Sequence, residues 1–192
     1  MDTVELRYKP LRLDDEFYEF CRENDQLKIE RDSEGTLYII SNSGGTTGIL
    51  NSIINYWLMH WHLARNLGHV FDSSTAFRLP NTSVRSPDAS WVSNEKWEYL
   101  TDAEQTKFPP VCPDFVIELL SANDDLHTIQ KKIQSEWIEN GCSLAWLIDP
   151  FTETAYVYRP NADVEAVSGF SQLLSGGNVL EGFEFDLSKL KI

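Results

Sequence analysis

The stretch Asp114-Phe115-Val116-Ile117-Glu118-Leu119-Leu120-Ser121 is a continuous apolar run broken by one acid. Runs of this kind belong to strands covered on both faces, because a strand with one solvated side would alternate apolar and polar residues. A carboxylate is expensive in such a strand. Left unpaired it costs several kcal/mol, so Glu118 needs a cation, a hydrogen-bond donor, a metal ion or a proton of its own.

Working outward, the preceding strand-like segment 84–92 (VRSPDASWV) raises the same question at Asp88, which follows Pro87 amid Val84, Ala89, Trp91 and Val92. If the two strands are neighbours, their carboxylates meet, and hard divalent ions prefer such oxygen ligands. On the other side of Glu118, a helix is expected over 125–140, ending at Gly141, with Leu126, Ile129 and Ile133 as its buried stripe. At about 100° per residue, Lys132 falls on the flank of that stripe and Lys131 points nearly away from it. Lys132 can therefore reach the sheet, and a buried Glu–Lys pair without chemistry is the structural alternative to a metal site.

The remaining elements suit an α/β sandwich with a mixed sheet. Residues 14–24 read as a short surface helix burying Phe17, Phe20 and Cys21, and KIER and TLYIIS as a β-hairpin around Asp32-Ser33-Glu34-Gly35. The longest helix follows Ser43-Gly44-Gly45-Thr46-Thr47-Gly48; Ile49, Ile53, Trp57, Trp61 and Ala64 mark its expected buried face and Gly68 its end. The glycines lack the lysine of a phosphate loop and read as a flexible helix entry. His60 and His62 lie two apart, on different faces, which does not suit shared metal ligation. Strand-like segments follow at 69–79 and 84–92, then a polar insertion over 93–113 with Trp97 and Tyr99. After the helix at 125–140, SLAWLID and TAYVYRP read as paired strands.

The composition sets limits on function. One domain spanning residues 1–192 is expected, with 42% hydrophobic and 12% aromatic residues to fill a core. No apolar stretch reaches the ~20 residues of a membrane span, and the N-terminus lacks a secretory core, so no membrane partner and a cytoplasmic location are expected. Cys21, Cys112 and Cys142 are spaced for neither a disulfide framework nor a zinc site. A formal net charge of −14 argues against a broad nucleic-acid surface, so any DNA contact has to be local or metal-assisted.

The stretches IERDSEGTLYIIS, GGTTGILN, FDSSTAFRLPNTSVRSPDASWV, DFVIELLS and IENGCSLAWLIDP resemble the Uma-type family of bacterial endonuclease-like domains, within the PD-(D/E)xK nuclease superfamily, over roughly residues 12–190. The resemblance implies a restriction-endonuclease-like core, an N-terminal helix and β-hairpin, and hydrolysis of DNA phosphodiester bonds with Mg²⁺ or Mn²⁺. It implies that Asp88 and Glu118 hold the metal, and that the motif lysine has moved to the following helix, where Gln130 and Lys132 match. Lys132 would orient or activate the water; Glu30 and Gln130 fall at outer-shell positions. Three features depart from the family pattern. Leu120 stands at the lysine of the (D/E)xK triplet, Thr46 stands where glutamate is common, and the segment from Lys132 to Gly141 is one residue longer, which would rotate part of that helix.

The leading expectation is a metal-dependent endonuclease. The alternatives are a degenerate nuclease fold serving binding or assembly, and a metal-dependent hydrolase acting on something other than DNA. A homodimer is also expected, from the resemblance and from Trp97 and Tyr99, which have no obvious place in the core.

Overall fold

The computed structural model describes residues 4–7 and 14–191. Strand β1 (Val4–Arg7) precedes helix α1 (Asp14–Glu23), whose first turn places Asp14, Asp15 and Glu16 at the positive end of the helix dipole and whose Phe17 is buried. Strands β2 (Lys28–Arg31) and β3 (Thr36–Ile40) form the expected hairpin. Its turn is held by Asp32 Oδ1, which accepts from the backbone N–H groups of Glu34 and Thr36, and by Gly35 at a φ of 89°.

Helix α2 (Gly45–Arg65) buries Leu50, Ile54, Leu58 and Trp61. Of the expected stripe, Trp61 is buried and Ile53 and Trp57 pack partly buried against the core, whereas Ile49 is 53% exposed and Ala64 is exposed. The helix is apolar nearly all round, so periodicity alone offered two faces and the sheet chose between them. It ends at Asn66, in left-handed conformation (φ 53°), rather than at Gly68. Gly68 instead opens β4 (Gly68–Asp72), where a Cβ would collide with the Val92 carbonyl and the Trp91 ring.

The single strand expected over 69–79 is two, β4 and β5 (Phe77–Arg78). The strand expected over 84–92 is likewise β6 (Val84–Arg85) and β7 (Ala89–Ser93). In each case the two halves belong to different sheets. Asp72 turns the chain by accepting from Ser74 N–H, and Pro87, with no N–H to give a ladder, breaks the second run. The polar insertion holds two short helices, α3 (Asn94–Glu98) and α4 (Asp102–Gln105), the latter with a capping box between Thr101 and Glu104.

After β8 (Phe115–Leu119), helix α5 (Leu126–Lys132) is capped by the Asp125 side chain accepting from Thr128 N–H. It continues through a π-helical turn (Ile133–Trp137) and a 3₁₀ turn (Ile138–Asn140) to Gly141 at a φ of 102°. A turn with i→i+5 bonds holds one residue more than an α turn without breaking the helix, so it shifts the phase of the side chains that follow. Strands β9 (Leu144–Asp149), β10 (Thr154–Tyr158), β11 (Glu165–Ser168), β12 (Leu173–Ser175) and β13 (Glu184–Asp186) complete the order.

The central sheet runs β11-β10-β9-β8-β7-β4, with β8 and β9 parallel and the other pairs antiparallel. A second sheet, β1-β3-β2-β6-β5, stands beside it, and β12 and β13 form a small ribbon. Alternation sorts the central strands. Ala89, Trp91, Phe115, Ile117, Trp146 and Ile148 join α2 in one core, whereas Val92, Val116, Leu120, Ala145 and Leu147 join Ile133 and Trp137 in the other. Even-numbered positions of β7 and β8 therefore face the α5 side, the side to which Glu118 belongs.

Candidate active site

Antiparallel register pairs Ala89 with Ile117, so the next step along the ladder sets Asp88 opposite Glu118. The bond from Asp88 N–H to the Ile117 carbonyl (3.1 Å) closes that step. Both carboxylates line one cleft of 160 Å³, together with Lys28, Glu30, Asp124 and Lys132. The condition on which a shared ion depends, two neighbouring strands presenting both acids to one side, is met.

Asp88 is held at both oxygens: Oδ2 accepts from Leu119 N–H at 2.8 Å and Oδ1 from Asn51 Nδ2 on α2 at 3.1 Å. Asn55, one turn on, donates to the Asp88 carbonyl at 3.2 Å. Glu118 accepts through a single oxygen. Its Oε1 takes the indole N–H of Trp137 at 2.8 Å and lies 3.1 Å from Lys132 Nζ, while Oε2 accepts nothing from the described residues. Lys132 Nζ also stands 3.9 Å from Glu30 Oε2.

Glu30 is not free within the cleft. Its Oε1 accepts from Ser86 N–H (3.1 Å) and its Oε2 from Arg85 Nη1 (3.2 Å), and Arg85 Nη2 continues to Glu136 Oε1 at 2.8 Å. Glu136 is fixed in turn by Ser83 Oγ (2.7 Å) and Asn81 Nδ2 (3.1 Å). A buried chain of alternating charge thus ties the cleft, through β2 and β6, to the π turn of the last helix.

The electrostatics separate these acids. Burial raises the Glu118 carboxyl; Lys132 opposes this, but the charges of Asp88 and Glu30 add to it, and the net position lies above the ordinary carboxylate range. Burial likewise holds Asp88 high, against its bond from Leu119 N–H. Glu30 is equally buried yet lies below the ordinary range, because Lys132 and Arg85 together outweigh desolvation. Burial works against the Lys132 ammonium, but Glu118 and Glu30 hold it above the usual lysine range, so it is charged at neutral pH.

These observations fit a divalent ion. Two close carboxylates whose ionisation is disfavoured, one with a free oxygen, form a site that a cation relieves, and Mg²⁺ commonly uses one or two carboxylates while keeping its waters. No group of three or more His, Cys, Asp or Glu suited to a metal occurs among the described residues, so water would complete the shell.

Of the residues singled out in the sequence, Asp88, Glu118, Lys132 and Glu30 come together. Gln130 does not: it is absent from the cleft lining and its side chain faces the Tyr158 hydroxyl instead. Lys131 is exposed, as its helical angle required. Leu120 is buried in the α5-side core, and Thr46 is exposed on the first turn of α2. Sequence reasoning missed Asn51, Arg85, Glu136 and Trp137. Arg85 stands three residues before Asp88 and could have been flagged as a buried cation, but the phase of Glu136 and Trp137 is set by the π turn and leaves no periodic signal.

The architecture and the cleft define a nuclease-like α/β protein. The crystal structure of "a putative nuclease belonging to DUF820" from Anabaena variabilis ATCC 29413 superposes with a TM-score of 0.71 at 20% identity, covering 84% of this chain and 88% of that one, a likeness that establishes the fold. The family model Uma2, described as "Putative restriction endonuclease", matches residues 14–188, and the chain belongs to that family. A search of the curated proteins gave no match.

Proposed function

We propose that this nuclease-family chain is a metal-dependent endonuclease that hydrolyses DNA phosphodiester bonds. The supporting observation is geometric: Asp88 and Glu118 stand opposite one another on neighbouring strands and line one cleft with Lys132, whose Nζ lies 3.1 Å from Glu118 Oε1. Asp88 and Glu118 would hold Mg²⁺ or Mn²⁺, which when bound lowers the pKa of a water and neutralises charge on the phosphate. Asp88 is oriented for that by Leu119 N–H and Asn51, and Glu118 by Trp137. Lys132, permanently charged and anchored by Glu30, orients the attacking water or the scissile phosphate. Lys28, at the same cleft, adds a second local cation, which answers the overall charge of −14 at the one place where a phosphate must approach.

The test is nicking of supercoiled plasmid at low salt with Mg²⁺, with Mn²⁺ and with chelator. Cleavage that requires metal and disappears in both Asp88→Asn and Lys132→Ala supports the proposal. Wild type that binds Mn²⁺ but leaves DNA intact would instead favour a hydrolase of another substrate, and wild type that binds no metal would favour a module without catalysis.

A further inference from the structure

The outer face of α2 is apolar where a solvated helix should be polar. Between Gly45 and Ala64 the helix has no Asp, Glu, Lys or Arg, in a chain in which 24% of residues are charged. Its core face is used by Leu50, Ile54, Leu58 and Trp61, and its flank by Asn51 and Asn55 reaching Asp88. On the opposite side stand Ile49 (53% exposed), Tyr56 (61%), Met59 (39%) and Leu63 (74%), continued by Leu67 (47%) beyond the cap. Ile49, Tyr56 and Leu63 are spaced by seven, with Ser52 and Met59 interleaved at the same interval. That is the repeat of a helix seam packed on another helix.

We infer that this face is the contact surface for a second copy of the chain, α2 packing against α2 about a twofold axis. Such an interface is self-complementary. A face without charge lets two molecules of net charge −14 approach with less repulsion than a charged one. At roughly 200 Å² per large side chain, the exposed fractions amount to on the order of 500 Å² of apolar surface per copy, most of the ~800 Å² per partner of a stable interface. A groove of 620 Å³ between Tyr56 and Met59 on α2 and Val70 and Phe71 on β4 lies beside the seam and can receive partner side chains. β4 is also the terminal strand of its sheet. The pairing differs from the one expected in the sequence: Trp97 packs against Phe71 and His69, so the 93–113 insertion offers only Tyr99, 84% exposed.

A lipid surface is the rival occupant, disfavoured because Arg65 is the one Lys or Arg on the helix, where anionic headgroups are attracted by clusters of them. Sedimentation equilibrium at micromolar concentration decides. Wild type is expected at twice 22.0 kDa. Leu63→Glu with Tyr56→Glu should weaken the dimer at least ~100-fold, as truncating a central contact does, with the circular dichroism of the folded chain unchanged. Leu63→Ser should weaken it in the same direction without adding charge, and Tyr99→Ser should leave it intact. A monomeric wild type overturns the inference, as does a dimer indifferent to the α2 substitutions. Wild type that floats with phosphatidylcholine vesicles would assign the face to lipid instead.

Discussion

The indole N–H of Trp137 donates to Glu118 Oε1 at 2.8 Å, on the same oxygen that Lys132 approaches to 3.1 Å. Indole is a donor that never ionises, so it fixes the carboxylate without joining its titration. It reaches Glu118 from the end of the π turn, Ile133–Trp137. The π turn thus sets a second donor beside Lys132 on the same oxygen of the acid.

Trp137→Phe keeps most of the ring volume and removes that donor. Outer-shell partners of metal ligands are typically worth 10–100-fold in affinity. Mn²⁺ titration by calorimetry should therefore show binding at least ~10-fold weaker than wild type, with the fold intact in chelator. Equal affinities would mean that the indole serves packing alone.

Glu118→Gln separates the metal site from a structural ion pair. Because the folded carboxyl lies above its ordinary value of 4.5, the stability it contributes is fully present below that pH and is lost as pH rises through the folded value. In chelator the variant should melt no lower than wild type at neutral pH, and the difference in its favour should grow from about pH 4 to pH 7. Metal should stabilise wild type by about 2.7 kcal/mol at a hundredfold excess over the dissociation constant and should not stabilise the variant. A loss of roughly 3–5 kcal/mol in chelator, with no metal response in wild type, would show a pair kept for structure.

Arg85→Met should be severely destabilising. The guanidinium is almost fully buried between Glu30 and Glu136, and its removal leaves two buried carboxylates short of a partner, at a cost of about 3–5 kcal/mol in urea unfolding. Both acids lie below their ordinary 4.5 in the fold. The stability they contribute is present above that pH and is lost as pH falls through their folded values, so the variant's acid limb should be shallower than wild type's. Parallel acid limbs would place that pH dependence elsewhere.

Much of the site was readable because burial of charge is an anomaly that needs no third dimension to notice. Glu118 inside an unbroken apolar run and Asp88 beside Pro87 signal themselves, and the helical angle alone distinguishes Lys132 from Lys131. The α2 stripe was placed only in part, with Ile49 on the wrong side, because a helix apolar on two faces leaves the centre of its buried stripe open. The strands over 69–79 and 84–92 failed because a change of sheet leaves no mark on hydrophobic alternation; the turn at Asp72 and the ring of Pro87 are the only local clues.

By itself, then, the amino-acid sequence determined the α/β class, the family, the strand that must be covered on both faces and the acids that need partners there. These are local properties, set by side-chain polarity against the periods of helix and strand. Only the tertiary structure decided that Gln130 turns to Tyr158, that Trp137 and Asn51 hold the two carboxylates, and that Arg85 joins Glu30 to Glu136. Those contacts join residues 19 to 55 positions apart, and in the last helix their phase depends on a π turn. Which side chains meet across such distances follows from how the layers close over one another, and no local pattern encodes that.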